Sequence, residues 1–310
     1  MNRHADPAAP WAFVVNPVHA AGLRRLAEAS SLLDARGIPY SVSRTTRVRE
    51  GAEQAAAAVR SGAARLVVIG GDGTVRSTVR GLLSADLDVP SGTLPLLIVP
   101  TGTANLFARN LGIRPGPVQP ARLFSTRCRS ADVGTARVRN RWGRESSEVF
   151  LAAAGLGEDA RTVMALTDRL KHRLGWPAYL LRGARFLRSP GIRARVRIPG
   201  GELDGPVWSV LAGNISRAPA GIRVFPHGGP GSGDLELLVC TPPTLAGWSA
   251  IAAYGLGLRS GVPADLAYHR TPRAHLVPAS PTAVHLDGEP FPEVVEMDLG
   301  IAAGALSVVV

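Results

Sequence analysis

Residues 66–74 read LVVIGGDGT, and the rest of the chain is interpreted from this stretch outward. Its apolar, β-branched first half predicts a strand buried on both faces, as in a parallel sheet. The glycines, the carboxylate and the hydroxyl follow, and residues 75–83 then have a helical pattern. Glycine leaves backbone N–H groups bare, and a helix N-terminus carries a positive dipole end, so the turn predicts a phosphate-binding site. Taken alone, the same composition also suits an ordinary tight turn.

A second strand and turn of the same kind follow. Residues 94–99 are apolar, and residues 100–110 read PTGTANLFARN. Open α/β sheets keep their ligand sites at the carboxyl ends of the strands, so we expect the two turns to lie along one crevice. The residues expected there are Gly70, Gly71, Asp72, Gly73, Thr74, Thr103 and Asn105.

These paired motifs resemble the catalytic domain of the diacylglycerol kinases and sphingosine kinases, especially the soluble bacterial lipid kinases. GGDG alone is shared with NAD kinases and 6-phosphofructokinases, whereas PTGTxN followed by Ala-Arg is more particular to the lipid kinases. The resemblance implies an NAD kinase/diacylglycerol kinase-like fold, in which a three-layer α/β domain with a parallel sheet precedes a β-rich sandwich domain. It also implies ATP as the phosphate donor, Mg²⁺, and a lipid substrate.

The segments before the glycine turn fit this expectation. Alternating strands and helices predict a parallel sheet with right-handed crossovers. By resemblance, Asn16 and Thr46 lie near nucleotide, although an N-cap role explains Thr46 equally well. Strands are predicted at residues 12–17 and 40–43, and helices at residues 23–36 and 49–60.

The sequence changes character near residue 130, where short segments with period-two patterning begin. We expect residues 1–130 to form the nucleotide-binding domain and residues 131–300 to form a β-rich domain for the lipid acceptor. By resemblance, residues 301–310 complete the first domain. A helical region is predicted at residues 161–188, with Asp159 as its N-cap or as part of the acceptor cleft. Strands are predicted at residues 131–138, 148–153, 193–198, 207–212, 235–239, 273–277 and 282–286.

Two acidic stretches are candidates for the chemistry. Residues 284–290 read VHLDGEP, in which Asp-Gly is an ordinary hairpin signal. Phosphorylation of an alcohol needs a nearby carboxylate to accept the hydroxyl proton. In the lipid kinases an Asp-Gly-Glu at this place supplies the acid/base side of the site. By resemblance, Asp287 is therefore the base, and Glu289 orients it or holds metal.

Residues 231–236 read GSGDLE and are similar to a family segment whose acids help to hold a structural Mg²⁺ in some bacterial members. Here Ser232 takes the place of the first acid, and Glu236 that of the last. Serine is a poorer ligand than a carboxylate for a hard cation. The resemblance leaves Asp234 and Glu236 as the candidate metal ligands.

The charge balance excludes some phosphate-binding devices. The net charge is +11, yet Lys171 is the only lysine, so a Walker A, protein-kinase or Schiff-base lysine cannot sit in these motifs. Scattered arginines and 5% aromatic residues argue against a nucleic-acid partner. Anionic lipid or nucleotide suits the charge, as does an Arg-rich composition without function. Residues 171–188 mix cationic and aromatic side chains, which suits either contact with a membrane or a domain-packing helix.

Three function hypotheses remain open. The first is an ATP-dependent lipid kinase that acts on diacylglycerol or a related lipid alcohol. The others are an NAD kinase-type nucleotide kinase and a non-catalytic lipid- or nucleotide-binding protein. The chain shows no apolar run of about 18 residues and no signal core, and Cys128 and Cys240 are far apart. We therefore expect a cytoplasmic protein in peripheral contact with the membrane, with a homodimer left open.

Overall fold

The computed structural model describes residues 9–18, 20–46, 48–84, 94–165, 186–218 and 221–310. The chain divides into two units. The N-terminal unit comprises Met1–Asp132 and Gly304–Val310, and the C-terminal unit comprises Val133–Ala303.

A parallel sheet forms the centre of the N-terminal unit. Its strands are β1 (Trp11–Val15), β2 (Tyr40–Arg44), β3 (Arg65–Gly70), β4 (Pro95–Pro100) and the end of β15 (Glu289–Val309). They lie in the order β2–β1–β3–β4–β15, and Ser307 of β15 is opposite Pro95. β1 and β3 are buried along their whole length, because helices cover a parallel sheet on both faces. The predicted parallel sheet is confirmed.

The helices of this unit are α1 (Ala20–Asp34), α2 (Ala52–Arg60), α3 (Asp72–Leu82), α4 (Leu106–Asn110) and α5 (Pro120–Leu123). Ala29 and Leu33 of α1 pack into the same core as strands β1, β3 and β4. Helices α2 and α3 meet at Gly81, where a Cβ atom would lie 2.1 Å from the carbonyl oxygen of Ala52. Glycine therefore lets the two backbones touch there.

The C-terminal unit is rich in antiparallel strands, as predicted. One run of paired strands has the order β12–β11–β10–β7–β14–β15, and β15 also pairs with β13, which continues to β8 and β9. Strand β5 pairs with β6 and β15. The bounds are β5 (Cys128–Asn140), β6 (Glu145–Phe150), β7 (Ala153–Gly157), β8 (Ile192–Ile198), β9 (Gly201–Val207), β10 (Ser209–Gly213), β11 (Leu235–Cys240), β12 (Leu266–Thr271), β13 (Arg273–Pro278) and β14 (Thr282–Leu286).

Among the described residues of this unit, two helices lie between the strands, α6 (Glu158–Met164) and α7 (Leu245–Gly255). Helix α6 ends soon after it begins, and residues 166–185 lie outside the described part of the chain. Most of the predicted helix at residues 161–188 and of the basic, aromatic stretch at residues 171–188 therefore falls outside it too. Within the described ranges, no helix is long and apolar enough to cross a membrane.

Two predicted strands are each divided in the structure. The strand predicted at residues 148–153 is broken between β6 and β7, because the N–H groups of Leu151 and Ala152 bond to the side chain of Asp287. The strand predicted at residues 207–212 is broken at Trp208. The two parts have different partners, since β9 pairs with β8 whereas β10 pairs with β7 and β11.

Candidate active site

The first candidate site surrounds the turn between β3 and α3. Gly71 is the N-cap of α3 and has no side chain with which to cap it, and the first helical bond runs from the N–H of Val75 to the Gly71 carbonyl at 3.0 Å. A Cβ atom at Gly70 would lie 2.5 Å from the Thr74 Cβ, so the helix starts directly over the strand end. The N–H groups and the positive dipole end of α3 are therefore directed at the turn.

The turn after β4 lies directly against the first. A Cβ atom at Gly102 would lie 2.6 Å from the Cα of Gly71, and one at Gly71 would lie 3.2 Å from the Cα of Gly102. The N–H of Thr101 donates to the Gly70 carbonyl at 2.9 Å. The structure thus brings the two predicted turns together, with no side chain between their glycines.

Asn105 holds the second turn in shape. Its backbone is left-handed, with φ 48° and ψ 49°, and its side chain is buried. The side-chain oxygen accepts from the N–H of Gly102 at 3.0 Å, and the side-chain nitrogen donates to the Gly102 carbonyl at 2.6 Å. Asn105 therefore fixes the loop from within, whereas Thr103 on the same loop is exposed.

Asn16 links the first loop of the sheet to the glycine turn. Its side-chain nitrogen donates to the Thr74 hydroxyl at 3.1 Å, and its side-chain oxygen accepts from the N–H of Val18 at 3.0 Å. Thr74 is buried, whereas Gly73 is exposed and Asp72 half-buried at the start of α3. Asn16 and Thr74 thus hold the glycine turn in place from within, and Asp72 and Gly73 lie on its solvent side.

Thr46 closes a separate tight turn. Its hydroxyl accepts from the N–H of Arg49 at 3.0 Å, and its own N–H donates to the Arg49 carbonyl at 2.8 Å. Helix α2 begins only at Ala52 and has Gly51 as its N-cap. The alternative N-cap interpretation of Thr46 is therefore wrong, and its exposed side chain caps the preceding turn instead.

A cavity of about 320 Å³ in the N-terminal unit lies apart from these residues. Apolar residues of β4 and of the segment before α5 line it, together with Arg122. The Arg122 guanidinium donates to the Ile98 carbonyl at 2.6 Å, and burial lowers the pKa of this group. None of the predicted site residues lines the cavity.

The second candidate site is the turn between β14 and β15 in the C-terminal unit. Asp287 and Gly288 both have positive φ, 50° and 80°, and Leu286 pairs with Glu289 across the hairpin. Two consecutive residues of positive φ form the type I′ turn that Asp-Gly favours. The expected hairpin is present, and Glu289 on its far strand is exposed.

Three backbone N–H groups hold the Asp287 carboxylate. Its Oδ2 accepts from Leu151 at 2.7 Å, and its Oδ1 accepts from Ala152 at 2.8 Å and from Ala153 at 3.0 Å. The N–H of Asp287 donates in turn to the Ala153 carbonyl at 2.8 Å. Donors placed in this way favour the ionised carboxylate and tie the hairpin to the loop between β6 and β7.

A buried imidazole–carboxylate pair lies beside this turn. His285 Nε2 is hydrogen-bonded to Asp159 Oδ2, and both side chains are less than a tenth exposed. The other ring nitrogen, Nδ1, accepts from the N–H of Gly288 at 3.4 Å. A Cβ atom at Gly155 would lie 2.3 Å from the ring and 2.7 Å from the carboxylate, so only glycine leaves room for the pair.

The sequence interpretation missed this pair. Asp159 is the second residue of α6, whose N-cap is Gly157, so the predicted N-cap role of Asp159 is wrong. The available signal was Gly155, a glycine within a strand, which often marks close approach of other groups. Its cross-strand neighbour is His285.

Asp234 and Glu236, the predicted metal ligands, have separate partners. Asp234 forms an ion pair with Arg270 at 3.1 Å, near the surface. Glu236 is buried, and one of its oxygens accepts from the N–H of His227 at 2.8 Å. The two carboxylates therefore contact different protein groups, and Asp234 and Glu236 stay the predicted metal ligands. Within the described ranges, the one group of three or more possible ligands is His275, Glu296 and Asp298.

Comparison with known proteins identifies the family. Residues 10–136 match the diacylglycerol kinase catalytic domain. A Pseudomonas aeruginosa protein named "Probable lipid kinase YegS-like" is 30% identical over 253 residues, which cover 81% of this chain and 78% of that protein. The chain belongs to the diacylglycerol kinase catalytic-domain family. Membership confirms the resemblance drawn from the glycine turns and makes the chain a phosphotransferase with an alcohol acceptor.

Solved structures show that the whole described fold is that of the diacylglycerol kinase family. A diacylglycerol kinase of Bacillus anthracis has a TM-score of 0.70 at 19% identity, with 97% of this chain and 96% of that chain covered. Yeast NADH kinase, solved in complex with NADH, has a TM-score of 0.54 at 11% identity and covers 98% of this chain and 83% of its own. These likenesses confirm the predicted NAD kinase/diacylglycerol kinase-like fold.

Proposed function

We propose that this diacylglycerol kinase family member transfers the γ-phosphoryl group of ATP to a hydroxyl of diacylglycerol or a related lipid alcohol. The observation that carries the proposal is the contact between Gly71 and Gly102, where no side chain separates the backbones of the two strand-end turns. Such a surface admits polyphosphate to backbone N–H groups and to the N-terminus of α3. It lies within the residues that match the family.

The phosphate contacts would come mainly from the backbone. The only lysine, Lys171, lies outside both motifs, so no lysine can cradle the phosphates there. The start of α3 offers N–H donors at Gly73 and Thr74, and Asn16 keeps Thr74 in place through the 3.1 Å hydrogen bond. Thr103, exposed on the second turn, offers a hydroxyl at the same crevice.

Mg²⁺ would enter as part of the ATP complex and would neutralise charge on the transferring phosphoryl group. Asp72, at the glycine turn, is the carboxylate that would hold it, since hard cations prefer oxygen ligands.

We assign the two roles at the Asp-Gly-Glu turn in the opposite way to the sequence-based prediction. The Asp287 carboxylate accepts three backbone hydrogen bonds, and each of them lowers its tendency to take a proton. Glu289 is exposed, two residues further on, across a rigid type I′ turn. Asp287 would therefore position the turn, and Glu289 would accept the proton of the lipid hydroxyl as it attacks.

Labelled ATP and a panel of lipid alcohols test the proposal. We expect label in diacylglycerol or another lipid, and a loss of at least about 100-fold in turnover for Glu289→Gln. Glu202→Gln, which alters an exposed carboxylate paired with arginines on β8, should retain activity. Label in NAD rather than in lipid would point to a nucleotide kinase. ATP binding without turnover on any acceptor would point to a non-catalytic protein, and either outcome would refute the proposal.

A further inference from the structure

Helix α7 turns an uncharged face to solvent. Residues 241–258 read TPPTLAGWSAIAAYGLGL and contain no charged side chain. The exposed positions in and just after α7 include Leu245, Ser249, Ala252 and Leu256, and their spacing of four, three and four places them on one face. A surface helix normally carries charged and polar side chains on that face. The outer face of α7 is therefore unusual for contact with water alone.

Two aromatic side chains hold α7 against the rest of the unit. Trp248 donates from its ring nitrogen to the Leu187 carbonyl at 2.8 Å, and its ring meets that of Trp208 edge-on at 4.7 Å. Tyr254 is buried. The helix is thus held in a fixed orientation, and its outer residues are exposed because they face outward and not because the helix is loosely attached.

Large apolar side chains cluster on and after this face. Leu245 is 59% exposed, Leu256 63%, Leu258 79% and Val262 49%. Single exposed leucines are ordinary, but a contiguous group of them marks an interaction surface. Three of the four lie at the C-terminal end of α7 or just beyond it.

Positive charge lies at that same end. The N–H of Arg223 donates to the Gly255 carbonyl at 2.9 Å, which places Arg223 beside the last turn of α7. Arg259 follows Leu258 directly, and both arginines are exposed. Asp265, an acidic side chain near this helix, is at the other end, where a Cβ atom at Gly247 would meet its carboxylate at 2.4 Å.

We propose that this surface, which comprises the outer face of α7, residues 256–262 and Arg223, docks onto a bilayer that contains anionic lipid. An 11-residue helix is about 16 Å long, roughly half the hydrocarbon thickness, so α7 would lie along the membrane surface. Leu256 and Leu258 would enter the acyl boundary, and Arg223 and Arg259 would meet lipid phosphates. The inference rests on the proposed function in one respect, that a lipid acceptor is reached at a bilayer.

Vesicle flotation tests the surface directly. We expect the full chain to float with vesicles of phosphatidylcholine that contain phosphatidylglycerol, and less with phosphatidylcholine alone. Replacing both Leu256 and Leu258 by Glu should lower partitioning at least about tenfold. Arg223→Gln and Arg259→Gln should each lower it about fivefold, only on the anionic vesicles. Leu203→Glu, at an exposed leucine on β9, is the matched control and should float like the parent chain.

Two outcomes would overturn the proposal. One is vesicle binding by the double leucine variant that equals that of the parent chain. In the other outcome the parent chain self-associates in sedimentation, whereas the double leucine variant does not self-associate and still floats with vesicles. The surface would then be a contact between two copies of the chain. Activity on a short-chain, water-soluble diacylglycerol distinguishes a failure of the proposed kinase function from a failure of the proposed membrane surface. If the parent chain lacks this activity, the kinase function is refuted but flotation is unaffected. The leucine variants should keep the activity of the parent chain.

Discussion

His285 and Asp159 are joined by a hydrogen bond between ring Nε2 and carboxylate Oδ2 in the interior of the C-terminal unit. The second ring nitrogen, Nδ1, lies 3.4 Å from the N–H of Gly288. The two ring nitrogens therefore have different partners, a buried carboxylate and a backbone N–H group. The pair thereby connects α6 to the turn between Asp287 and Glu289.

The buried hydrogen bond predicts an order of stability among Asp159 variants. Asp159→Asn keeps a side chain that can form a hydrogen bond with Nε2, so we expect a loss of about 1 kcal/mol or less in the free energy of unfolding. Asp159→Ala leaves the buried ring nitrogen without this partner and should cost about 2–3 kcal/mol. Urea unfolding measures both, with Asp204→Asn in an exposed pair with Arg195 as a control near zero. A loss for Asp159→Asn as large as that for Asp159→Ala would show that an amide cannot replace the carboxylate as the partner of His285.

The Asp-Gly-Glu turn predicts opposite effects for its two acids. Asp287→Asn tolerates the left-handed backbone but cannot accept all three N–H groups, so we expect a loss of about 1–3 kcal/mol in unfolding free energy. Glu289→Gln alters an exposed side chain and should change stability by about 0.5 kcal/mol at most. Thermal unfolding of the two variants beside the parent chain measures the difference. Equal destabilisation would show that Glu289 also supports the fold.

The two cysteines should differ sharply in reactivity. Burial, with a smaller contribution from the charge of Asp265, raises the pKa of the Cys240 thiol to about 12, whereas Cys128 is exposed. At pH 8 only about one Cys240 in 10,000 would be a thiolate, and the fraction would rise with pH. We expect a thiol reagent to modify one cysteine per folded chain, and none after Cys128→Ser. Rapid modification of Cys240 in the folded state would contradict its burial.

Local pattern was sufficient for much of the fold. Strand β3 is a buried, largely β-branched run, and β14 is buried along its whole length. The glycine turn and the Asp287-Gly288 turn have compositions that favour their backbone geometry. Each of these features depends on near neighbours in the chain. Strands β3 and β14, the helix after the glycine turn and the hairpin were therefore predictable to within about three residues.

Contacts between distant residues were not predictable in this way. The Asp287 carboxylate binds N–H groups more than 130 residues earlier, and that contact divides β6 from β7. His285 and Asp159 are 126 residues apart, and Arg270 reaches Asp234 from the neighbouring strand. Sequence spacing contains no information about such partners, so the pair of His285 and Asp159 was missed.

The close backbone contact between Gly71 and Gly102 gives the most direct test of the proposed phosphate site. In Gly102→Ala the new methyl group would lie 2.6 Å from the Cα of Gly71, which is backbone and cannot rotate away, so one of the turns must shift. We expect the KM for ATP to rise at least about tenfold, since a displaced turn no longer directs its N–H groups at the phosphates. Gly116→Ala is the matched control, because no atom lies within 4 Å of a Cβ there and its backbone suits alanine. An unchanged KM for ATP in a folded Gly102→Ala variant would place the nucleotide away from these turns.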